Sequence, residues 1–329
     1  MVAVLPAFRK TTMLRAARSA LSVKLSLLLG SWLAPRPFIM VWESTHRCNS
    51  RCVYCGLRSL RENSEPALST AEIKRVIDEA SDLGLFCLVI SGGEPLLRKD
   101  LSEVVAHARA RGLFVSLTTN GILASGGNLG LLSACRHVTV SLDGIDPADY
   151  ARRRGVDRFD EVVGNILRIR ESCPHTALHV QAVLDETNWR DAPAMSRFFF
   201  DRGIDTVFQL VYGRRFEIDG KEWGRIVDRL RFRSPALKIA LKRFLGLLPA
   251  ISSGRLRGPC LALTSNFALS PSGKLIACNY RREPLADLRR ETLASAWGRL
   301  EARRRRLASP DRGCMCGNSC FIIPSLILS

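Results

Sequence analysis

The sequence predicts an α/β fold built on a parallel sheet, and two observations carry that prediction. Between residues 38 and 213, apolar runs of strand length alternate with amphipathic runs of helical period, the pattern of a parallel sheet with crossover helices. Most strand-like runs also end in a polar or glycine-bearing stretch: THRCNSRC, SGGEP, TTNG, SLDG and DETN. Parallel α/β sheets bind their ligands at the carboxyl ends of the strands, so these stretches are the candidate site. A barrel and a doubly wound sheet both satisfy the pattern.

Taken in order, residues 1–37 form a basic N-terminal segment, with no acidic residue before position 34. Within residues 10–33, Leu14, Ala17, Leu21, Leu25 and Leu28 recur at helical spacing among Arg15, Arg18 and Lys24. The stretch is too short and too charged to span a bilayer. It fits an amphipathic helix lying on an anionic membrane surface and equally one packed on the domain, and Pro35 and Pro37 end it. A strand leads into Cys48. Ser69, Thr70 and Glu72 cap a helix running to residue 82. LFCLVIS (85–91) is a strand, residues 101–112 a helix, and LFVSLTTNG (113–121) a strand. A short helical segment follows to Cys135, then the strand HVTVSLDG (137–144) and a helix near 159–171. ALHVQAVLDETN (177–188), a helix near 190–202 and TVFQLVYG (206–213) complete at least six strand units. Residues 214–258 are basic with helical period, a connector or lid. CLALTSNFALSPSGKLIACN reads as a hairpin with a Ser-Gly turn.

Eleven cysteines dominate the chemistry. Cys48, Cys52 and Cys55 stand as C-x3-C-x2-C, close enough for three thiolates to converge on one soft metal centre: zinc, copper(I) or an iron-sulfur cluster. On a four-iron cluster they would leave one iron without a protein thiolate. The competing reading is structural zinc, with His46 or a distant cysteine as fourth ligand. Cys87, Cys135 and Cys173 are isolated in apolar or helical contexts and read as inert thiols. No cleavable signal peptide is evident, and metal thiolates suit a reduced cytoplasmic setting, with peripheral membrane contact through residues 10–33 left open. The formal charge of +18 favours anionic partners. RRRR at 303–306 fits a solvated helix face at least as well as a nucleic-acid patch, so nucleic acid is not an expected partner.

Cys48, Cys52, Tyr54 and Cys55, taken together with Gly92, Gly93, Glu94 and Pro95, resemble the radical S-adenosylmethionine (radical SAM) superfamily. The resemblance implies a partial (β/α)6 barrel of triose-phosphate-isomerase (TIM) type over residues 38–213. It implies a [4Fe-4S] cluster on the three cysteines, with S-adenosylmethionine on the open iron. An electron from flavodoxin or ferredoxin would cleave the sulfonium to a 5'-deoxyadenosyl radical that abstracts a substrate hydrogen. By the same resemblance, Tyr54 lies beside the adenine, and Gly92 and Gly93 let backbone approach the methionine moiety. Glu94 and Pro95 fix the following turn. Asn120, Ser141 and Asp143 hold ribose and methionine groups, and Arg154 takes the methionine carboxylate, with Arg152 and Arg153 as rivals. Asn188 and Gln209 are weaker candidates that fit loop bracing as well.

Cys260, Gly273 and Cys278 form C-x12-G-x4-C, and Cys314, Cys316 and Cys320 follow. This resembles the SPASM and twitch extensions, which house auxiliary iron-sulfur clusters. The C-x2-C-x5-C element is missing. The resemblance thus implies one auxiliary [4Fe-4S] cluster in a small domain over residues 259–329, on Cys260, Cys278 and Cys320, with Cys316 preferred over Cys314 as the fourth ligand. Zinc is the alternative metal. The substrate expected is a peptide or protein side chain. About 40 residues before the barrel are too few for a peptide-recognition domain, and a small molecule or a membrane-associated lipid or isoprenoid is the alternative. A zinc-stabilised nucleic-acid adaptor would need neither the GGEP stretch nor the polar strand ends.

Overall fold

The computed structural model describes residues 36–60, 65–233, 235–255 and 262–300. The expectations placed on residues 10–33, on Cys260, on the arginine run 303–306 and on Cys314, Cys316 and Cys320 lie outside the described residues. Six strands, β1 (Ile39–Glu43), β2 (Cys87–Ser91), β3 (Phe114–Thr119), β4 (His137–Ser141), β5 (Ala177–Leu184) and β6 (Asp205–Leu210), pair in parallel in chain order. Sequential order is decisive between the two architectures. A doubly wound sheet reverses its order at a switch point. Here every right-handed crossover advances the same way, so the helices fall on one face and the sheet curls into a partial (β/α)6 barrel.

Those helices are α1 (Thr70–Asp82), α2 (Leu101–Ala110), α3 (Asn128–Ala134), α4 (Pro147–Arg154), α5 (Phe159–Ser172) and α6 (Ala192–Phe200). The predicted capping box starts α1: Glu72 N–H donates to Ser69 Oγ and Ser69 N–H to Glu72 Oε2. Ile73, Val76, Ile77 and Ala80 form its buried stripe. The helix α4 had no counterpart in the sequence reading. Its signals are local: Asp146 caps the N-terminus, Pro147 follows, and Gly155 ends the helix in the left-handed region at φ 66°. The connector contains α7 (Gly220–Arg229), α8 (Pro235–Gly246) and α9 (Leu248–Ser252). These pack on β6 and α6 as a second apolar cluster around Trp189, Trp223 and Phe244.

The expected hairpin forms from β7 (Asn266–Leu269) and β8 (Lys274–Ile276), followed by β9 (Ala286–Asp287) and α10 (Leu293–Gly298). It extends the barrel sheet, since β7 pairs in parallel with β1 through Ile39↔Asn266 to Trp42↔Leu269. Phe267, Leu269, Leu288 and Trp297 share the main apolar core with β1 and α1. Residues 262–300 and the barrel thus have one sheet and one core.

That arrangement predicts one unfolding transition. Phe267 is fully buried and packs edge-on against Trp297, so Phe267→Ala is expected to cost ~3–5 kcal/mol. In urea titrations read by far-ultraviolet circular dichroism, the whole transition should move to lower urea. A barrel signal that stays in place while a minor phase shifts would show that residues 262–300 fold separately.

Candidate active site

The cysteine loop leaves the end of β1 and is held between two other backbones. On one side lies the glycine loop after β2. Gly93 N–H donates to Thr45 O at 2.7 Å and Glu94 N–H to Arg47 O at 2.8 Å. A Cβ on Gly92 would stand 2.5 Å from Thr45 O, and one on Gly93 2.1 Å from Arg47 O. These glycines let the two loops come into backbone contact. On the other side lies the end of α4. Arg51 N–H donates to Arg154 O and Val53 N–H to Arg153 O, at 2.9 and 3.0 Å. A Cβ on Gly155 would meet Arg51 O at 2.6 Å.

Glu94 is fully buried and holds the glycine loop to the end of β3. Its carboxyl accepts from Asn120 N–H (2.7 Å), Thr119 Oγ1 (2.8 Å) and Leu96 N–H (3.1 Å). Burial pushes its pKa up, and those three donors oppose the shift. Pro95 opens the short 3-10 turn Pro95–Leu97 that follows.

A buried ion pair joins β4 to the cysteine loop. Arg154 Nε lies 2.8 Å from Asp143 Oδ2 and Nη2 donates to Oδ1 at 3.0 Å. Asp143 also accepts Val183 N–H at 2.9 Å and the Tyr54 hydroxyl. The Arg154 guanidinium reaches Cys52 Sγ at 3.7 Å and lies over the Tyr54 ring. Burial disfavours the charge on Arg154, but Asp143 together with Tyr54, Cys52 and Tyr150 outweighs it and its pKa rises. Burial also pushes the Tyr54 phenol well above its ordinary value. Arg153, a rival in sequence, is committed to Asp185 through Nη1 and Nη2, while Arg152 is exposed and pairs with Asp149. Asn188 spends its amide hydrogens on Asp143 O and Val183 O, and its oxygen accepts Asp185 N–H. Its donors thus tie the loop after β5 to β5 itself and to the loop after β4, as the bracing alternative has it. Ser141 ends β4, half-buried, opposite Gln181, and Gln209 stands opposite Val183 on β5.

Donors face two of the three thiols. Ser50 N–H lies 3.4 Å from Cys48 Sγ and Asn120 Nδ2 lies 3.7 Å from it, with Nδ2 also donating to Asn49 Oδ1 at 2.6 Å. Arg154 serves Cys52. Cys48 and Cys55 are half-buried, Cys52 is buried, and none of the three is in a disulfide. Among the described residues, no group of three or more His, Cys, Asp or Glu side chains is gathered to hold a metal ion. The fit to a cluster therefore rests on the donor set: three soft ligands in one loop, with N–H groups and a cation placed to stabilise sulfur charge.

A second buried cluster escaped the sequence reading. Glu43, fully buried at the end of β1, takes both guanidinium nitrogens of Arg282 at 2.5 and 2.6 Å. His46 Nε2 stands 3.5 Å from Glu43 and 3.4 Å from Arg282. Burial opposes ionisation of Glu43, but Arg282 and His46 overcome it and hold the carboxyl below its usual value. Arg282 follows Cys278, which is buried and whose Sγ accepts Arg281 N–H at 3.2 Å. The pairing spans 239 residues, and no local pattern marks it.

Residues 42–199, just under half of the chain, match the family model described as Radical SAM superfamily, so the chain carries a radical SAM domain. A curated relative named PqqA peptide cyclase, from Xanthomonas axonopodis pv. citri, is 37% identical over 174 residues, covering 50% of this chain and 44% of the relative. One named Fe-coproporphyrin III synthase, from Methanosarcina barkeri, is 33% identical over 183 residues, covering 54% and 45%. The aligned stretch thus spans less than half the length of these relatives. Two solved structures share the fold. Streptococcus suis SuiB bound to S-adenosylmethionine superposes with a TM-score of 0.65 at 16% identity, over 92% of this chain and 72% of that one. The enzyme anSMEcpe with bound AdoMet gives 0.63 at 17%, over 83% and 80%.

Two predictions follow from the buried charges. A double-mutant cycle of Asp143→Asn and Arg154→Met should show each single change costing ~3–5 kcal/mol, because each strands a buried polar partner, with the double change costing less than their sum. Strict additivity would mean that the pair does not interact. Glu43 ionises below its ordinary value of 4.5, so its stabilisation is present above that pH and is lost as pH falls through the folded value. The stability gap between wild type and Glu43→Gln in urea should thus be widest at neutral pH and close on acidification. A gap independent of pH would show that Glu43 is not a paired carboxylate.

Proposed function

We propose that this chain uses its radical SAM domain to modify a peptide or protein side chain. The observation that carries the reading is the cysteine loop itself. Cys48, Cys52 and Cys55 sit at the carboxyl end of a partial barrel, clamped between the glycine loop and α4, with Ser50, Asn120 and Arg154 donating toward sulfur. These three cysteines would hold the [4Fe-4S] cluster. Bound there, the cluster and S-adenosylmethionine would supply radical chemistry able to abstract a substrate hydrogen.

The remaining work belongs to the chain's own side chains. Arg154 and Asp143 fix the Tyr54 ring beside the cysteine loop, offering a flat face for the adenine. Ser141, at the end of β4, offers a hydroxyl to the cofactor. Glu94 and Asn188 act through the loops they brace. We further assign Cys278, with Cys260, Cys320 and Cys316 or Cys314, to one auxiliary cluster, and a flavodoxin or ferredoxin to electron supply. A cytoplasmic location follows from that chemistry. No helix among the described residues is long and apolar enough to cross a membrane. The name of the relative PqqA peptide cyclase supports a peptide substrate. The relative named Fe-coproporphyrin III synthase supports the second reading, a small molecule.

Anaerobic reconstitution with iron and sulfide quantitation, paired with a 5'-deoxyadenosine assay, tests this assignment. About eight irons per chain are expected, from two four-iron clusters. The Cys48, Cys52 and Cys55 triple alanine variant should fall to about four and lose S-adenosylmethionine cleavage. Zinc in place of iron, with no cleavage, would overturn the enzyme reading.

A further inference from the structure

The inner face of this barrel is polar, which sets it apart from the packed apolar interior of a closed TIM barrel. Parallel register places Glu43 opposite Ser91, and Thr118, Thr139, His179 and Asp205 opposite one another on successive strands. Parallel partners share a face, so these side chains form one polar row across the sheet. Their strand neighbours Trp42, Ile90, Leu117, Val140, Val180 and Phe208 are fully buried. Val140 and Val162 of α5 both crowd the place a Cβ would take on Gly121, at 2.7 and 3.0 Å, which identifies that opposite face as the helix side. The polar row therefore faces the concave surface, where a substrate above the cysteine loop would lie.

His179 ends a hydrogen-bond chain on that surface, in which both imidazoles are half-buried and Ser116 is buried. Ser116 Oγ lies 2.8 Å from His137 Nδ1, and His137 Nε2 lies 2.7 Å from His179 Nδ1. The direction follows from the proton count. Ser116 is 6% exposed and His137 is its side-chain partner among the described residues, so donation of its hydroxyl hydrogen to His137 Nδ1 is the direction that satisfies both atoms. His137 is then protonated at Nε2 and donates to His179 Nδ1. His179 in turn carries its hydrogen on Nε2, an atom without a protein partner among the described residues. Burial lowers both imidazoles, His179 to about 4, so the rings are neutral and the chain keeps this direction at neutral pH.

We propose that His179 is a substrate-positioning residue: its Nε2–H donates to a carbonyl or carboxylate oxygen of the bound peptide, and Ser116 and His137 hold it in that donor tautomer. The proposal rests on the concave face receiving a peptide and adds which group orients it.

The test is two-bond nitrogen–proton correlation on histidine-labelled, anaerobically reconstituted full-length protein, whose five histidines are assigned by single substitutions. At pH 7, His137 and His179 should both be neutral and protonated at Nε2. N-methylacetamide, as an amide-carbonyl probe, should shift the His179 Nε2 signal saturably and leave His107, which pairs with Asp78, unmoved. Ser116→Ala should convert the single His179 tautomer into a mixture. An imidazolium or Nδ1-protonated His179 in the native protein, no saturable shift, or an unchanged tautomer in Ser116→Ala would each overturn the proposal. S-adenosylmethionine cleavage is measured on the same preparation. Cleavage without a probe response sinks the His179 assignment alone, whereas a probe response without cleavage sinks the radical reading and leaves the donor geometry standing.

Discussion

The pairing of Arg154 with Asp143 is the constraint on which the site's geometry depends. Both side chains are almost wholly removed from water, at 6% and 0% exposure, so each charge costs several kcal/mol unless matched by the other and by further hydrogen bonds. The matching is specific. Asp143 collects Val183 N–H from the neighbouring strand, the Tyr54 hydroxyl from the cysteine loop and the guanidinium from α4. Four segments distant in sequence thus meet at one carboxylate. Apolar residues of similar volume could fill that space at lower cost. What they could not do is fix the rotation of the Tyr54 ring and aim a cation at Cys52, and those are the features a sulfur ligand and an adenine face require.

Backbone contact supplies the rest of the rigidity. The cysteine loop contributes no strand or α-helix of its own, yet its segments 45–47 and 51–53 hydrogen-bond to the glycine loop and to the end of α4. Contacts of 2.1 to 2.6 Å from hypothetical Cβ atoms at Gly92, Gly93 and Gly155 show that side chains there would prise the loops apart. Glycine is needed at Gly92 and Gly155 for a further reason, because both lie at positive φ. A loop pinned by main chain on two sides keeps its thiols in place whatever rotamers the surface adopts.

The strands and their order were legible because each carries an apolar run of strand length with a polar stop, and all six appear within a few residues of where that pattern puts them. The cysteine and glycine motifs were legible as motifs, but their division of labour was not. Gly92 and Gly93 read as places where backbone comes close, and the cysteine loop is one partner of that approach, because a short motif reports that backbone must come close without saying to what. The helix α4 was missed because DYARRR offers almost no apolar stripe, although Asp146, Pro147 and Gly155 mark both its ends. The Glu43–Arg282 pair was illegible for a deeper reason: a charge pair across the chain leaves no periodicity in either segment.

That pair also explains how the hairpin region bears on the barrel. Loop 277–284 leaves β8, carries the buried thiol of Cys278, and returns to β9. Along the way Arg282 grips Glu43 at the end of the first barrel strand, and Tyr280 stacks on Tyr212, just beyond the last. β6 and β9 are the two edges of the nine-stranded sheet formed by the described residues, so the barrel does not close by strand pairing. The loop thus reaches β1 through a bidentate ion pair and the segment after β6 through a ring stack. Of the two, the ion pair has a fully buried carboxylate and is hydrogen-bonded at both nitrogens, whereas Tyr212 is 36% exposed. The firm anchor is therefore on the cysteine side and the looser contact on the β6 side.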